Sequence, residues 1–206
     1  MSSRLVAHVR KAEKVKRLGT PVASVRRGPD RVEVTPRGGT AEQFDQAVLA
    51  VHSDQALAIL SDPTDAEREI LSSVRYQENR VVLHTDVSLL PRRRAAWASW
   101  NYLLPTTSSD RACVTYDMNI LQSLPSPAEF LVTLNREEKV RPETVLLRTV
   151  YHHPVFTRQA VAAQARRAEI SGVNRTWYCG AYWGNGFHED GVRSAADVGR
   201  AFGAVL

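Results

Sequence analysis

The stretch RTWYCGAYWGNGFHEDGVRSA, residues 175–195, places an aromatic run, three glycines and two adjacent acids directly before the last helical pattern of the chain. RTWYCGAYW predicts a strand, and the residues from Glu189 onward predict a closing helix rich in small residues. Glycine lets the backbone approach a ligand closely, and a helix N-terminus supplies unpaired N–H groups with a partial positive charge. A strand, a glycine-rich turn and a helix therefore suit a phosphate or dinucleotide, although a purely structural turn produces the same pattern.

The dinucleotide fingerprint itself is incomplete in this stretch. Gly184, Gly186 and Glu189 have the spacing of G-x-G-x-x-G, but the third position holds a glutamate. No second strand of a βαβ unit follows the helix in the sequence. We therefore do not interpret this loop as a pyrophosphate-binding loop.

Upstream, residues 20–62 predict a β-meander that leads into a buried strand and a helix. TPVASVRR places Val22 and Val25 among small residues, which predicts a strand. RVEVTP alternates Val32 and Val34 with charged neighbours, which is typical of a half-exposed strand, and turn-forming glycines follow both segments. FDQAVLAV is a compact apolar run, as expected of a buried strand. HSDQALAILSD predicts a helix with Ser53 or Asp54 as its N-cap.

Residues 63–165 predict a mainly antiparallel sheet with flanking helices. PTDAEREILSSV predicts a capped helix, and four later segments predict strands: RVVLHTD, ACVTYDMNILQSL, EFLVTLN and ETVLLRTVYHHP. FTRQAVAAQARRAEI predicts a helix that buries one face, and that face comprises Val161, Ala162, Ala165 and Ala168. Together with residues 20–62, this pattern predicts a mixed fold of the α/β (α+β) class.

Composition limits the class of protein. The chain has 206 residues, a formal net charge of +5 and only two cysteines, Cys113 and Cys179. No apolar run is long enough to span a bilayer, and the basic N-terminus lacks the apolar region of a secretory signal. These features predict a reduced, cytoplasmic protein. A helix over residues 4–17 is also predicted.

Two basic clusters are possible contacts for nucleic acid or anionic lipid. They are Lys11, Lys14, Lys16 and Arg17, and then Arg92, Arg93 and Arg94. No nucleic-acid-binding motif accompanies them, so a solvated surface is the favoured interpretation and no nucleic-acid partner is expected. The alternative predicts an affinity for DNA or RNA that falls steeply with salt.

Other candidate residues have competing interpretations. His84, His152 and His153 lack metal-ligand spacing, so packing or loop roles are favoured over a metal site or a general base. Cys179 lies in an apolar strand and is expected to be an inert buried thiol.

The aromatic residues and the polar residues at the start of the last helix each have two interpretations. The aromatic residues either line a pocket or belong to the sheet core, and they are Trp97, Trp100, Tyr102 and Tyr116. His188, Glu189 and Asp190 suit helix capping better than proton transfer.

The chain resembles the C-terminal half of flavin-containing amine oxidase-type proteins, in particular the bacterial subgroup described as predicted NAD/FAD-binding proteins. The resemblance covers roughly residues 15–206. Three stretches carry it: residues 20–60, from TPVASVRR to QALAIL; VLHTDVSLLPRRRAAWASWNYLLP, residues 82–105; and YCGAYWGNGFHEDGVRSA, residues 178–195.

The resemblance implies a domain organisation. Residues 15–62 and 166–206 would belong to a partial, Rossmann-like FAD/NAD(P)-binding domain. Residues 63–165 would form a substrate-binding domain.

It also implies a set of FAD contacts. The Val22 main chain would meet the adenine end, Gly180 and Ala181 would lie beside the ribityl-phosphate chain, and Phe187 would lie near the isoalloxazine. Gly191 and Val192 would supply helix-start amides that face the pyrimidine carbonyl of the flavin. A helix N-terminus at that carbonyl would stabilise negative charge on the reduced ring.

The chain departs from the family pattern at three places. Ala181 stands where the family usually has an acid, and Asp190 stands where a glycine is common. The strand, G-x-G-x-x-G loop and helix that begin such proteins, with the later ribose-binding acid, have no counterpart in these residues. The resemblance therefore implies a fragment, or a chain that pairs with another one carrying the N-terminal half.

The function implied is that of an FAD-dependent oxidoreductase of the amine oxidase type acting on a small-molecule or lipid-like substrate. The alternative is a non-catalytic remnant or interaction module that keeps the fold and binds no FAD.

Overall fold

The computed structural model describes residues 17–104 and 111–204. Within these residues the chain forms two compact units. One, the split unit, combines the chain up to Val74 with the chain from Phe156 onward; the other, the inserted unit, comprises Arg75–Val155. Most of the helix predicted at 4–17, with Lys11, Lys14 and Lys16, lies outside the described residues.

The split unit contains the predicted meander. Strands β1 (Val22–Arg27), β2 (Val32–Pro36) and β3 (Glu42–Phe44) form an antiparallel sheet in that order. Val25 pairs with Val34, and both Val25 and Val32 are buried. Val25 and Val32 thus place β1 and β2 against the core, whereas Val22 is 36% exposed and a register shift separates it from Ser24.

A second sheet in the split unit contains two parallel strands. Strand β4 (Ala47–Leu49) pairs with β10 (Thr176–Tyr178), with Ala47 opposite Thr176 and Leu49 opposite Tyr178. Four helices complete the unit: α1 (Ser53–Ile59), α2 (Asp65–Ser72), α4 (Arg158–Gln164) and α5 (His188–Ala201). The core joins the meander, the parallel pair and the first helices through Val25, Val32, Leu49, Ala56, Ile70, Leu71, Ala163, Ile170 and Tyr178.

The inserted unit is a five-stranded antiparallel sheet; the sequence predicts an antiparallel sheet with four of these strands but not the one at Trp100–Leu103. Its strand order is β6-β7-β8-β5-β9, with a short helix, α3, after β7. The elements are β5 (Arg75–His84), β6 (Trp100–Leu103), β7 (Cys113–Asp117), α3 (Met118–Gln122), β8 (Leu131–Leu134) and β9 (Val145–Val155).

The prediction of the buried face of α4 is wrong. Val161 is 52% exposed, and the other three predicted residues, Ala162, Ala165 and Ala168, are exposed as well. Ala160 and Ala163 are the buried residues of this helix. Alanine is weakly apolar and occurs on every side of the segment, so apolar spacing does not identify the packed side.

Three element boundaries also differ from prediction. The N-cap of α1 is His52, with Ser53 and Asp54 already inside the helix. The strand predicted over residues 175–183 ends at Tyr178, and a 3-10 turn follows at Ala181–Trp183. The segment after Asp117 turns into α3 because the Asp117 carboxylate caps that helix at Ile120 N, 3.0 Å away.

The mixed fold of the α/β (α+β) class is confirmed by these helices and sheets. Across the described residues, no helix is both long and apolar enough to cross a bilayer.

Candidate functional site

The candidate site lies at the carboxyl edge of the parallel pair. At this edge β4 leads into α1 and β10 leads into the loop before α5. Cys179 N donates to Leu49 O at 3.2 Å, which keeps the two strands paired up to the start of the loop. Ligands of α/β proteins bind at the carboxyl ends of parallel strands, so residues 180–192 are correctly placed for a ligand site.

Two glycines of the loop are required by the packing of the chain itself. A Cβ on Gly180 would lie 2.5 Å from Cε1 of Tyr182, and a Cβ on Gly184 would collide with the Asp190 carboxylate, with Cγ at 2.5 Å. Gly186 has a φ of +89°, a conformation that favours glycine. The glycine-rich composition therefore has a structural cause in addition to any ligand.

Asp190 organises the turn before α5. Its side chain is buried, and Oδ2 accepts hydrogen bonds from Asn185 N at 2.9 Å and Phe187 N at 3.0 Å. Arg193 lies 3.8 Å from Oδ1. These bonds agree with the capping interpretation of Asp190 rather than with a proton-transfer role.

The unpaired amides of α5 are not at the positions that the sequence indicates. The helix begins at His188, and Gly191 N donates to Phe187 O at 3.2 Å, so Gly191 and Val192 lie inside the first turns. The first amides of a helix have no intrahelical acceptor. His188 N and Glu189 N have none elsewhere in the described residues, and they form the donor pair of this edge.

Five of the six predicted cofactor contacts are brought together. Gly180, Ala181, Phe187, Gly191 and Val192 belong to one loop and helix start, in which a Cβ on Gly191 would lie 3.7 Å from Ala181 N. Phe187 is 53% exposed and Val192 is 61% exposed. Their side chains thus offer apolar surface beside the free amides.

Val22, the sixth predicted contact, lies in the meander. There it lines a separate pocket of about 270 Å³ with Val34, Pro36 and Phe44. Arg17 and Glu42 form an ion pair at the same pocket. None of the other five predicted contacts lines this pocket.

A buried ionic network connects β10 to α2 and β1, and the sequence analysis does not predict it. Nη1 and Nη2 of Arg27 donate to the Glu67 carboxylate at 2.7 and 2.8 Å. Tyr178 OH donates to Glu67 Oε1 at 2.6 Å. Thr64 N and its hydroxyl donate to Glu67 Oε2 at 2.8 and 3.1 Å. The spacing of Thr64 and Glu67 is that of a capping box, which is the only sign of the network in the sequence.

The network fixes the charge of Glu67. Burial raises the pKa of this carboxyl, but hydrogen bonds from Arg27, Tyr178 and Thr64 outweigh burial and lower the pKa to about 2. Burial and the bond to Glu67 raise the pKa of Tyr178 far above its ordinary range. Tyr178 therefore stays a neutral donor, and β10 is anchored to α2 and β1 two residues before the loop.

Arg167 and Ser194 attach the loop to α5. Arg167 donates to Tyr178 O at 2.9 Å and to Ser194 O at 2.8 Å. The Ser194 hydroxyl accepts from Gly180 N at 2.9 Å. These contacts set the distance between the strand end and the helix, and no motif in the sequence predicts them.

The histidines and aromatic residues of the inserted unit have structural partners. His84 is buried, with Nε2 2.8 Å from Thr133 Oγ1 and Nδ1 accepting from Asp86 N at 3.0 Å. His153 Nδ1 lies 2.8 Å from Asn79 Nδ2. Among the described residues, no three or more His, Cys, Asp or Glu side chains form a group that would hold a metal ion.

Two of the tryptophans are also fixed by neighbours. Trp100 and Tyr116 pack edge to face with centroids 5.7 Å apart, and Trp97 Nε1 donates to Pro91 O at 2.8 Å. Tyr102 is 60% exposed. A role for these aromatic residues beside a flavin stays a prediction.

Comparison with known proteins gives one family match. The family model described as flavin containing amine oxidoreductase matches residues 2–119, which include the meander and β4 but not the loop at 180–192. No curated protein matches the sequence.

Several solved structures share the fold. A CLA-producing fatty acid isomerase from P. acnes aligns with a TM-score of 0.62 and 14% identity over 95% of this chain and 50% of its own. A putative protoporphyrinogen oxidase from Exiguobacterium sp. aligns with a TM-score of 0.66 and 13% identity over 97% and 50%. A reduced UDP-galactopyranose mutase aligns with a TM-score of 0.60 and 13% identity over 93% and 48%. The chain thus spans about half the length of the structures it matches.

Proposed function

The chain belongs to the family of flavin-containing amine oxidoreductases, and from that membership we propose that it is the C-terminal portion of an FAD-dependent oxidoreductase of the amine oxidase type. The observation that carries the proposal is the start of α5, where two unpaired amides lie at the carboxyl edge of a parallel strand pair. In such an enzyme the flavin, when bound, supplies the acceptor for a hydride from a C–N or C–C bond.

The residues at this edge fit the electron-rich side of a flavin. His188 N and Glu189 N would donate to the pyrimidine carbonyl, where the helix N-terminus also supplies a partial positive charge. Phe187 and Val192 would pack against the ring with their exposed apolar surface. Gly180 and Ala181 would border the ribityl chain.

Asp190 would moderate this positive potential. Its carboxylate is held by two loop amides and lies in the first turn of α5, so it adds a negative charge near the donor pair. We propose that the chain stabilises the reduced flavin less than a relative with glycine at this position does.

Val22 would contact the adenine end of FAD at the meander pocket. The apolar lining of Val22, Val34 and Phe44 suits the face of a purine, and Val22 is more than one third exposed. The main-chain contact that the family resemblance implies is compatible with this exposure.

The pyrophosphate would be bound by further polypeptide, either another part of the same protein or a separate chain. Parallel strands are usually buried on both faces of a larger sheet. Here β4 and β10 pair only with each other among the described residues, and Val48 of β4 is 46% exposed. An added strand beside this pair would complete the Rossmann-like domain and bring the glycine-rich loop.

The substrate is proposed only as a small or lipid-like molecule. The similar structures include a fatty acid isomerase, a putrescine oxidase and a UDP-galactopyranose mutase, so the shared fold serves chemically different substrates. Because Cys113 and Cys179 are buried free thiols, we also propose a reducing, cytoplasmic compartment, which cell fractionation would check.

The flavin site is tested with FMN, which has the ring and the ribityl phosphate but lacks the adenosine half. We expect millimolar FMN to shift the amide NMR signals of residues 187–189 in a saturable way. Phe187→Ala should weaken this binding about fivefold or more, because one apolar face of the site is lost. Phe202→Ala is the matched control, since Phe202 is equally exposed, at 50%, at the opposite end of α5.

Two results would contradict the proposal. One is the absence of any shift at residues 187–189, which would favour the non-catalytic module that keeps the fold without FAD. The other is an equal loss of binding in Phe187→Ala and Phe202→Ala.

A further inference from the structure

A second pocket lies entirely within the inserted unit. Its volume is about 310 Å³, at the lower end for small-molecule sites. It is lined by residues 113–115 of β7, by Thr133 of β8, by Leu103 of β6, and by residues 88–92, which begin within the 3-10 turn at Val87–Leu89. No feature of the proposed flavin site contributes to it.

In the floor of this pocket, one threonine hydroxyl hydrogen has no acceptor within the described residues. Thr115 and Thr133 both line the pocket, are buried, and have their Oγ1 atoms 2.8 Å apart. His84 Nδ1 accepts from Asp86 N, and burial lowers the pKa of His84 although Asp86 opposes this effect. His84 is therefore neutral at pH 7 and donates from Nε2 to Thr133.

One hydroxyl hydrogen stays without an acceptor whichever of the two threonines donates to the other. If Thr133 donates to Thr115, the Thr115 hydrogen is left over, and in the reverse case the Thr133 hydrogen is left over. Neither hydroxyl has another acceptor among residues 17–104 and 111–204. The pocket floor thus offers one buried O–H donor, and an acceptor atom of a ligand would satisfy it.

The lining also includes two guanidinium groups. Arg92 and Arg136 both line the pocket, and neither has an ion pair or side-chain hydrogen bond within the described part of the chain. Neighbouring arginines differ, since Arg94 pairs with Glu129 at 3.1 Å and Arg141 pairs with Asp86 at 3.0 Å. No aspartate or glutamate lines the pocket, so its charge favours an anion.

The remaining wall is apolar except for Ser88. It is formed by Leu89, Leu90, Pro91, Leu103, Cys113 and Val114. A fully polar anion such as phosphate would leave this wall without a partner. A ligand with a hydrocarbon body and one anionic head would use every part of the lining.

We propose that this pocket binds a small amphipathic carboxylate, with its carboxylate at Arg92, Arg136 and the threonine hydroxyl and its hydrocarbon body against the leucine wall. Guanidinium groups and carboxylates form charge-assisted hydrogen bonds, and the buried O–H donor adds a third contact. This site is independent of the flavin and does not rest on the proposed oxidoreductase function.

The test uses the full chain without any flavin and three probes of equal chain length: octanoate, octylamine and octanol. Calorimetry should show binding of octanoate at least about tenfold tighter than that of octanol, and no binding of octylamine. In octanoate titrations the amide NMR signals of Thr115 and Leu103 should shift.

Variants locate the contacts. The double variant Arg92→Gln and Arg136→Gln should weaken octanoate binding about tenfold or more and leave octanol binding unchanged. Arg93→Gln is the matched control, because Arg93 is an exposed neighbour that does not line the pocket. Leu103→Trp should block all binding by filling the pocket, and it is well tolerated since Leu103 is 40% exposed.

Three outcomes would overturn the proposal. They are equal affinity for the three probes, octanoate binding that survives the double arginine substitution, and NMR shifts located away from β7 and Leu103. The wild-type NMR result stands even if a variant fails to fold. Because FMN plays no part, a failure here leaves the flavin proposal standing, and failure of the FMN test leaves this one standing.

Discussion

Replacing Glu67 by glutamine would remove the charge at the centre of the buried network. The side chains of Arg27 and Glu67 are only 3% and 2% exposed. In Glu67→Gln, Arg27 would keep only Asp62, whose side chain is 37% exposed and lies 2.8 Å from Arg27 Nε. The variant therefore leaves a buried guanidinium without its main counter-charge.

Two estimates of the free energy of unfolding that Glu67→Gln loses agree with each other. The pKa of Glu67 falls from 4.5 to about 2 in the folded chain. At 1.36 kcal/mol per pKa unit, this shift corresponds to about 3 kcal/mol of unfolding free energy at pH 7. Removing one partner of a buried ion pair typically costs about 3–5 kcal/mol. We expect Glu67→Gln to lower the free energy of unfolding by about 3–5 kcal/mol.

The stability difference between wild type and Glu67→Gln should also depend on pH, in a direction set by the lowered pKa of Glu67. A carboxylate whose folded pKa is lowered contributes stability above its unfolded pKa of 4.5, and this contribution is lost as the pH falls through about 2. The difference between wild type and Glu67→Gln should be constant from pH 7 to 5 and shrink between pH 4.5 and 2.

Urea unfolding followed by circular dichroism over this pH range is the measurement. Glu69→Gln is the control, because Glu69 lies on the same helix in an exposed pair with Arg166 and should have little effect. A difference below about 1 kcal/mol at pH 7, or one that does not change between pH 5 and 2, would refute the reasoning.

Further predictions concern the segment from the end of β10 to the first turn of α5. Gly180→Ala should lower the melting temperature, since its Cβ would lie 2.5 Å from the Tyr182 ring, at a cost of about 1–3 kcal/mol. Gly191→Ala should instead raise it, because the added methyl meets only ordinary contacts and alanine favours a helix by about 1 kcal/mol; equal effects of the two changes would contradict the packing described. Asp190→Ala should cost about 1–2 kcal/mol in urea unfolding through loss of the cap, and an unchanged midpoint would argue against it. Cys179 should react with iodoacetamide only after urea is added, because it is buried and burial raises the pKa of its thiol; rapid labelling of the folded chain would show that the loop opens.

The sequence predicts elements well where one physical signal acts alone. β2 alternates apolar and charged residues, and the capping box at Thr64 marks the start of α2, so both features are confirmed. The helix α4 is identified but its packed side is not, because alanine gives no clear apolar stripe. The strand at β10 is cut short after Tyr178 by the turn that Tyr182 and Gly180 impose, which depends on the packing of a ring against the backbone.

The candidate site was predictable in location and not in detail. Glycines before a helix indicate a strand-turn-helix, and the structure places that turn at the edge of a parallel pair. The free amides lie at His188 and Glu189 rather than at Gly191 and Val192, because Asp190 and the Phe187 carbonyl determine where the helix begins. The contacts of Arg27 and Arg167 join residues far apart in sequence, and no local pattern reports them.

The pairing of β5 with β9 has a consequence for how the chain acquires its structure. Arg75 and Val155, the two ends of the inserted unit, lie opposite each other in this ladder. Its first and last residues therefore meet as soon as the ladder forms, which brings the separated parts of the split unit within reach and lowers the entropy cost of joining β4 to β10.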